Sequence, residues 1–224
     1  MTRGTVRSAL RAVLAAGPAA LALAGCSADG VGAGSKAPAE RPAVDGGTGT
    51  KAPLAKGPRL GAAGSACELP VIFDLAADWE PEAVDVDPGA DFTALAEQGT
   101  VVLVCEIDAK PAGHIGYLRV WTGTPPGTGA GPDTDPKAVL EAFVADEPGA
   151  GEAVYTPVKA GSVAAAEVTY TVGGEARDEP GPGRAFALTT PEGPVVVHLG
   201  GPDLEEHRRM LPAYELAKKS LRLN

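Results

Sequence analysis

RAFALTTPEGPVVVHLG, residues 184–200, settles one strand pairing before the rest of the chain is considered. Two runs rich in apolar and β-branched residues flank Pro191, Glu192 and Gly193. Pro191 and Gly193 stand where a type I turn favours proline and glycine, so the stretch reads as an antiparallel hairpin. In its second run Val195, Val197 and Leu199 share one side of the pleat and His198 falls on the other, away from a site.

Just beyond the hairpin, residues 202–224 read as a helix. Asp203 can cap it, and Glu206 three residues later completes a capping-box-like pair. Leu204, His207, Leu211, Tyr214 and Leu221 follow the spacing of one buried stripe, and Pro212 is expected to kink or split it. Upstream, residues 67–75, 100–108, 115–123, 152–158 and 162–172 read as strands. In the third of these Ile115, Tyr117, Arg119 and Trp121 alternate. Residues 91–99 read as a short helix closed by Gly99. Asp135 and Pro136 open a second helix as N-cap and first helical residue, with Val139, Leu140, Phe143 and Val144 on one face.

Toward the N-terminus the texture changes at Cys67. Residues 67–224 are long enough to bury a proper core as one globular domain. They are too few for a two-lobed solute-binding protein. Residues 26–66 contain no large apolar cluster and no period, and read as a disordered Gly/Ala/Pro-rich tether. Some 40 such residues reach on the order of 35 Å. Residues 1–25 carry Arg3, Arg7 and Arg11, then a dozen apolar residues, too few to span a bilayer. Leu23, Ala24, Gly25 and Cys26 follow, which fits a lipobox ending a secretory signal. Cys26 is therefore expected to become the lipid-modified N-terminus, anchoring the domain on the outer face of the cytoplasmic membrane.

Without the three signal arginines the chain has 16 basic and 29 acidic residues, a formal charge of −13. Such a balance repels nucleic acid and anionic headgroups, so no nucleic-acid partner is expected and the lipid must supply membrane affinity.

Three stretches carry a family resemblance. Residues 67–83, CELPVIFDLAADWEPEA, run an apolar strand into a Trp corner at 75–79; the hairpin with TTPEGPVVVHLGG and the terminal AKKSLRLN complete it. The domain resembles the PsbP-like lipoproteins of high-GC Gram-positive bacteria. The resemblance implies an α+β fold: an α/β/α sandwich around a central, mainly antiparallel sheet. It implies binding and assembly roles and no catalytic residues. The loop at 122–135 departs from the family in its length and its Gly and Pro content.

The chemical candidates thin out on inspection. His114, His198 and His207 form no pair at metal spacing, and His207 reads as a packing residue. Residues 85–91 faintly suggest a calcium loop, but the fifth position lacks an acid and the next Glu falls one place late. Residues 127–131 lack the Lys-Ser/Thr of a phosphate loop. Ser65, Ser162 and Ser220 have no nucleophile-elbow setting. No cofactor and no metal are expected. Trp121, Asp133 and Asp135 border the long loop and are candidate partner-binding residues. Three functions stay open: a module for an envelope protein partner, a small-ligand or lipid carrier with an internal pocket, and, least favoured, an envelope hydrolase. With Cys26 modified, Cys67 and Cys105 are expected to form one disulfide in an oxidising compartment, the alternative being two buried thiols.

Cys26→Ser is expected to abolish lipidation. Detergent partitioning checks this: the variant should leave the detergent phase that retains the wild type.

Overall fold

The computed structural model describes residues 54–85, 96–123, 135–173 and 180–224. In chain order the strands are β1 (Lys56–Leu60), β2 (Val71–Ala76), β3 (Glu80–Ala83), β4 (Glu97–Gln98), β5 (Val101–Asp108), β6 (Tyr117–Thr122), β7 (Ala150–Ala160), β8 (Val163–Val172), β9 (Gly181–Thr190), β10 (Gly193–Gly200) and β11 (Arg222–Leu223). The helices are α1 (Pro136–Ala145) and α2 (Leu204–Ser220). The large sheet runs β3-β5-β6-β10-β9-β8-β7, with β4 added on β5, and its pairings are antiparallel. A small antiparallel sheet has the order β1-β2-β11.

The hairpin forms as expected, with Val195 opposite Leu188 and Val197 opposite Phe186. Thr190 closes its turn: its Oγ1 accepts from the Glu192 N–H and donates to the Gly193 carbonyl. Gly193 has φ +127°, a value that favours glycine.

Strand alternation divides the core in two. Val195, Val197 and Leu199 join Ile107, Leu118, Val120 and Phe186 beneath α2 and β2. Val196, Ala185, Ala187 and Val168 meet α1 on the other face. The large sheet thus lies between α1 on one side and α2 with the small sheet on the other. This is the α/β/α arrangement of mainly antiparallel strands that the sequence resemblance implied.

Both helices begin where expected. The Asp135 side chain accepts from Lys137 N, and the buried face is Val139, Leu140, Phe143 and Val144. The Asp203 side chain accepts from Glu206 N. Pro212 does not split α2, which is continuous across it. Of the expected stripe, His207, Tyr214 and Leu221 are buried and Leu211 is half-buried, while Leu204 is exposed; Met210, Ala213, Ala217 and Lys218 join the buried face. What selects this face is a carboxylate. Glu167 on β8 accepts from Tyr214 Oη (2.8 Å), Lys218 Nζ (2.6 Å) and Arg184 Nη2 (2.9 Å). Burial by itself would raise the Glu167 carboxyl, but these three donors leave it below its ordinary value.

The domain also starts earlier than the composition indicates. Residues 56–60, expected within the tether, form β1, and Leu60 is buried opposite Phe73. Tertiary pairing overrides the poor strand propensity of Gly57 and Pro58. Glu97 and Gln98 pair with β5 as a strand instead of ending a helix; residues 91–95 of that expected helix lie outside the described residues. Residues 1–53, with Cys26, lie outside them too.

The Trp corner carries the chain from one sheet to the other. Between β2 and β3, Asp78 takes φ +63° and Trp79 buries in the core below α2. A second link ties the segment before β2 to the large sheet: Cys67 and Cys105 form the expected disulfide, with Cα atoms 6.0 Å apart. It encloses a separation of 38 residues, so removing it is expected to cost about 3–4 kcal/mol in the chain-entropy account. Denaturant unfolding of a Cys67→Ala/Cys105→Ala variant against the wild type checks this.

Candidate binding cleft

A ten-residue helix is about 15 Å long, whereas seven strands abreast span about 30 Å. α1 therefore covers only part of its face of the sheet. Beside it lies an open cleft of about 360 Å³, lined among others by Tyr117, Arg119, Tyr170, Gly183 and His198, with Glu147 from the segment after α1.

Each floor residue is placed by the pleat. Tyr117 and Arg119 alternate with the core residues Leu118 and Val120 on β6. His198 alternates with Val197 and Leu199 on β10. Tyr170 stands on β8 and must cross β9 to reach His198. It does so over Gly183, where a Cβ would lie 2.4 Å from the Tyr170 ring. Only glycine at this position lets the tyrosine lie flat. Tyr170 Oη then sits 3.1 Å from His198 Nε2, with the two rings nearly parallel at 24°. Phe143 of α1 also packs against the imidazole, with ring centroids 5.7 Å apart.

The electrostatics follow. Burial, reinforced by the positive charge of Arg119, pushes the His198 imidazole down to about 3. At neutral pH it is an uncharged ring. Arg119 donates from Nε to Glu106 (2.7 Å) and lies over Tyr117, 5.1 Å from its centroid. Tyr117 also borders a second hollow of about 390 Å³, walled by Glu80, Glu82, Glu106 and Asp108.

The residues singled out from sequence fare differently. Trp121, expected to meet a partner, is instead buried, edge-on to Phe143 at 5.4 Å. Its neighbours Val101 and Leu140 show why: at this point of β6, α1 already covers the sheet. Asp135 is occupied in capping α1. Asp133 and residues 124–134 of the long loop lie outside the described residues, as do residues 86–91 of the acidic turn. His114 Nδ1 pairs with Glu206 (2.8 Å), which also accepts the Ile115 N–H. His207 is buried against the sheet as a packing residue, and burial lowers its pKa. His198 does alternate away from the α2 core, as the strand period requires, but the face it reaches is the cleft. A polar ring in the middle of PVVVHLG was the available signal.

The histidines give a pH dependence of definite sign. Folding lowers the pKa of His198 and of His207, so the unfolded chain binds protons that the folded one refuses. Stability is full above about pH 6.5 and falls as pH drops toward 3. Urea midpoints between pH 6.5 and 5 check this. His198→Gln should lower the slope by up to about 1.4 kcal/mol per pH unit.

Comparison with known proteins adds the family. The solution structure of cyanobacterial PsbP from Synechocystis sp. PCC 6803 aligns at 15% identity, covering 80% of this chain and 96% of that one, with a TM-score of 0.48. No curated protein matches. The profile of a family described as uncharacterised lipoprotein matches residues 37–221. That match spans most of the chain, which thus belongs to this family of uncharacterised lipoproteins.

Proposed function

We propose that the protein is a non-enzymatic binding module of the cell envelope, anchored through lipid on Cys26 at the outer face of the cytoplasmic membrane. In this reading it engages an envelope protein through the cleft beside α1. The observation that carries it is the bonded floor of that cleft. Tyr170 holds His198 and Glu106 holds Arg119, so the surface is preformed and a partner need not order it. The exposed Ile115 at its rim supplies an apolar anchor. The neighbouring carboxylates Glu80, Glu82 and Asp108 disfavour an anionic partner.

Two other functions receive less support. A base that titrates near 3 is a poor proton acceptor at neutral pH, and its partner here is a tyrosine rather than an orienting carboxylate. A lipid carrier calls for an enclosed apolar cavity, whereas both hollows described above open to solvent and carry charged walls.

Site-specific photocrosslinking on native membranes tests the proposal. A crosslinker at Ile115 should capture one envelope protein, while one at Val154, which is similarly exposed on β7, should not. Adding His198→Ala or Arg119→Ala should lower the yield severalfold. Equal capture from both positions, or a yield indifferent to the floor residues, would overturn it.

A further inference from the structure

The small sheet carries charge on its outer side. On β2, Val71, Phe73 and Leu75 point into the core below the large sheet, so Asp74 lies on the other side of the pleat, flanked by Ile72 and Ala76, which are themselves buried. Register places the neighbours of these three on the same side: Lys56 opposite Ala76, Arg59 opposite Asp74, and Arg222 opposite Ile72. Lys56 and Arg59 converge on Asp74 at 2.8 and 3.2 Å, yet each side chain stays 64% exposed. Arg222 is exposed, as is Lys219 at the end of α2 that leads into β11. Two cations thus meet at Asp74; Lys219 precedes Ser220, whose Oγ accepts the Asp74 N–H, and Arg222 lies opposite Ile72. The chain as a whole carries −10, so this face runs against the general balance.

Its position gives the excess a meaning. β1 is the first described strand, and the chain arriving from Cys26 enters the domain here. Cys26 lies 28 residues before Leu54, so β1 can stand no further than on the order of 100 Å from an anchoring membrane. At that range a few cations, each weakly drawn to an anionic surface, suffice to select an orientation.

We propose that the outer face of the β1-β2-β11 sheet docks on anionic phospholipid headgroups, through Lys56, Arg59, Lys219 and Arg222. The proposal rests on the anchored reading given above. It sets the direction in which the domain presents its cleft.

The test uses the full chain, whose Cys26 is the one thiol outside the Cys67–Cys105 disulfide. Cys26 is coupled to a maleimide-bearing lipid in vesicles of phosphatidylcholine, with or without phosphatidylglycerol. Lysines are acylated briefly and read one by one by mass spectrometry. Lys56 and Lys219 should react severalfold more slowly on the vesicles containing phosphatidylglycerol, with Lys110 and Lys137 unchanged. High salt, or Arg59→Glu with Arg222→Glu, should erase the difference. Equal reaction of Lys56 and Lys219 on both vesicle types, or uniform slowing of all four lysines, would overturn the proposal. The coupling is chemical, so this outcome is independent of whether the cell lipidates Cys26, which detergent partitioning of Cys26→Ser reads separately.

Discussion

The fold turns on one buried carboxylate. Glu167 brings together two neighbouring strands and α2 by accepting from Arg184, Tyr214 and Lys218 at once. Glu215 of α2 completes the set, bonding Lys218 (2.8 Å) and Arg184 (3.2 Å). The tyrosine ring lies beneath both cations, 5.3 Å from Arg184 and 5.2 Å from Lys218, and packs edge-on to Phe186. Removing charges from water is expensive, and such a cluster contributes little net stability against an apolar core of equal volume. Its effect is on uniqueness. An amphipathic helix with a small-residue stripe could slide or rotate on a flat sheet; a helix whose Lys and Tyr must both reach Glu167 cannot. Once α2 is set, β11 follows it back to β2, where Ser220 Oγ accepts the Asp74 N–H, and the small sheet is closed.

Local chemistry explains which parts of this were legible. α1 could be read because cap, first-turn proline and apolar spacing all point to the same residues. The hairpin could be read because its turn residues leave little choice. β1 could not: KGPRL has no strand pattern of its own and becomes a strand by pairing with VIFDLA. The stripe of α2 was legible in part: His207, Tyr214 and Leu221 are buried as their spacing predicts, but Glu167 also draws Lys218 in, and Leu204 stays out. The disulfide was legible from the cysteine count and the compartment that a secretory signal implies, without geometry.

The cleft shows the same division. Strand period told that His198 leaves the α2 core; it could not tell whether the other face was covered. That depends on the length of α1 against the width of the sheet, a quantity no local window contains. Trp121 and His198 lie on the same face of adjacent strands, and one is core while the other is cleft floor. The difference is which of them α1 reaches.

The long outer strand β7 has a consequence of another kind. An unpaired sheet border is a template on which another chain can add a strand. β7 is ill-suited to such growth. Its register slips between Gly151 and Val154, Glu152 takes φ +51°, Pro157 cannot donate from its nitrogen, and Lys159 places an exposed charge near the end. Each of these defects interrupts a regular ladder of outward-facing amides. Among the described residues the sheet ends at β7, a strand whose interruptions make it a poor template for another.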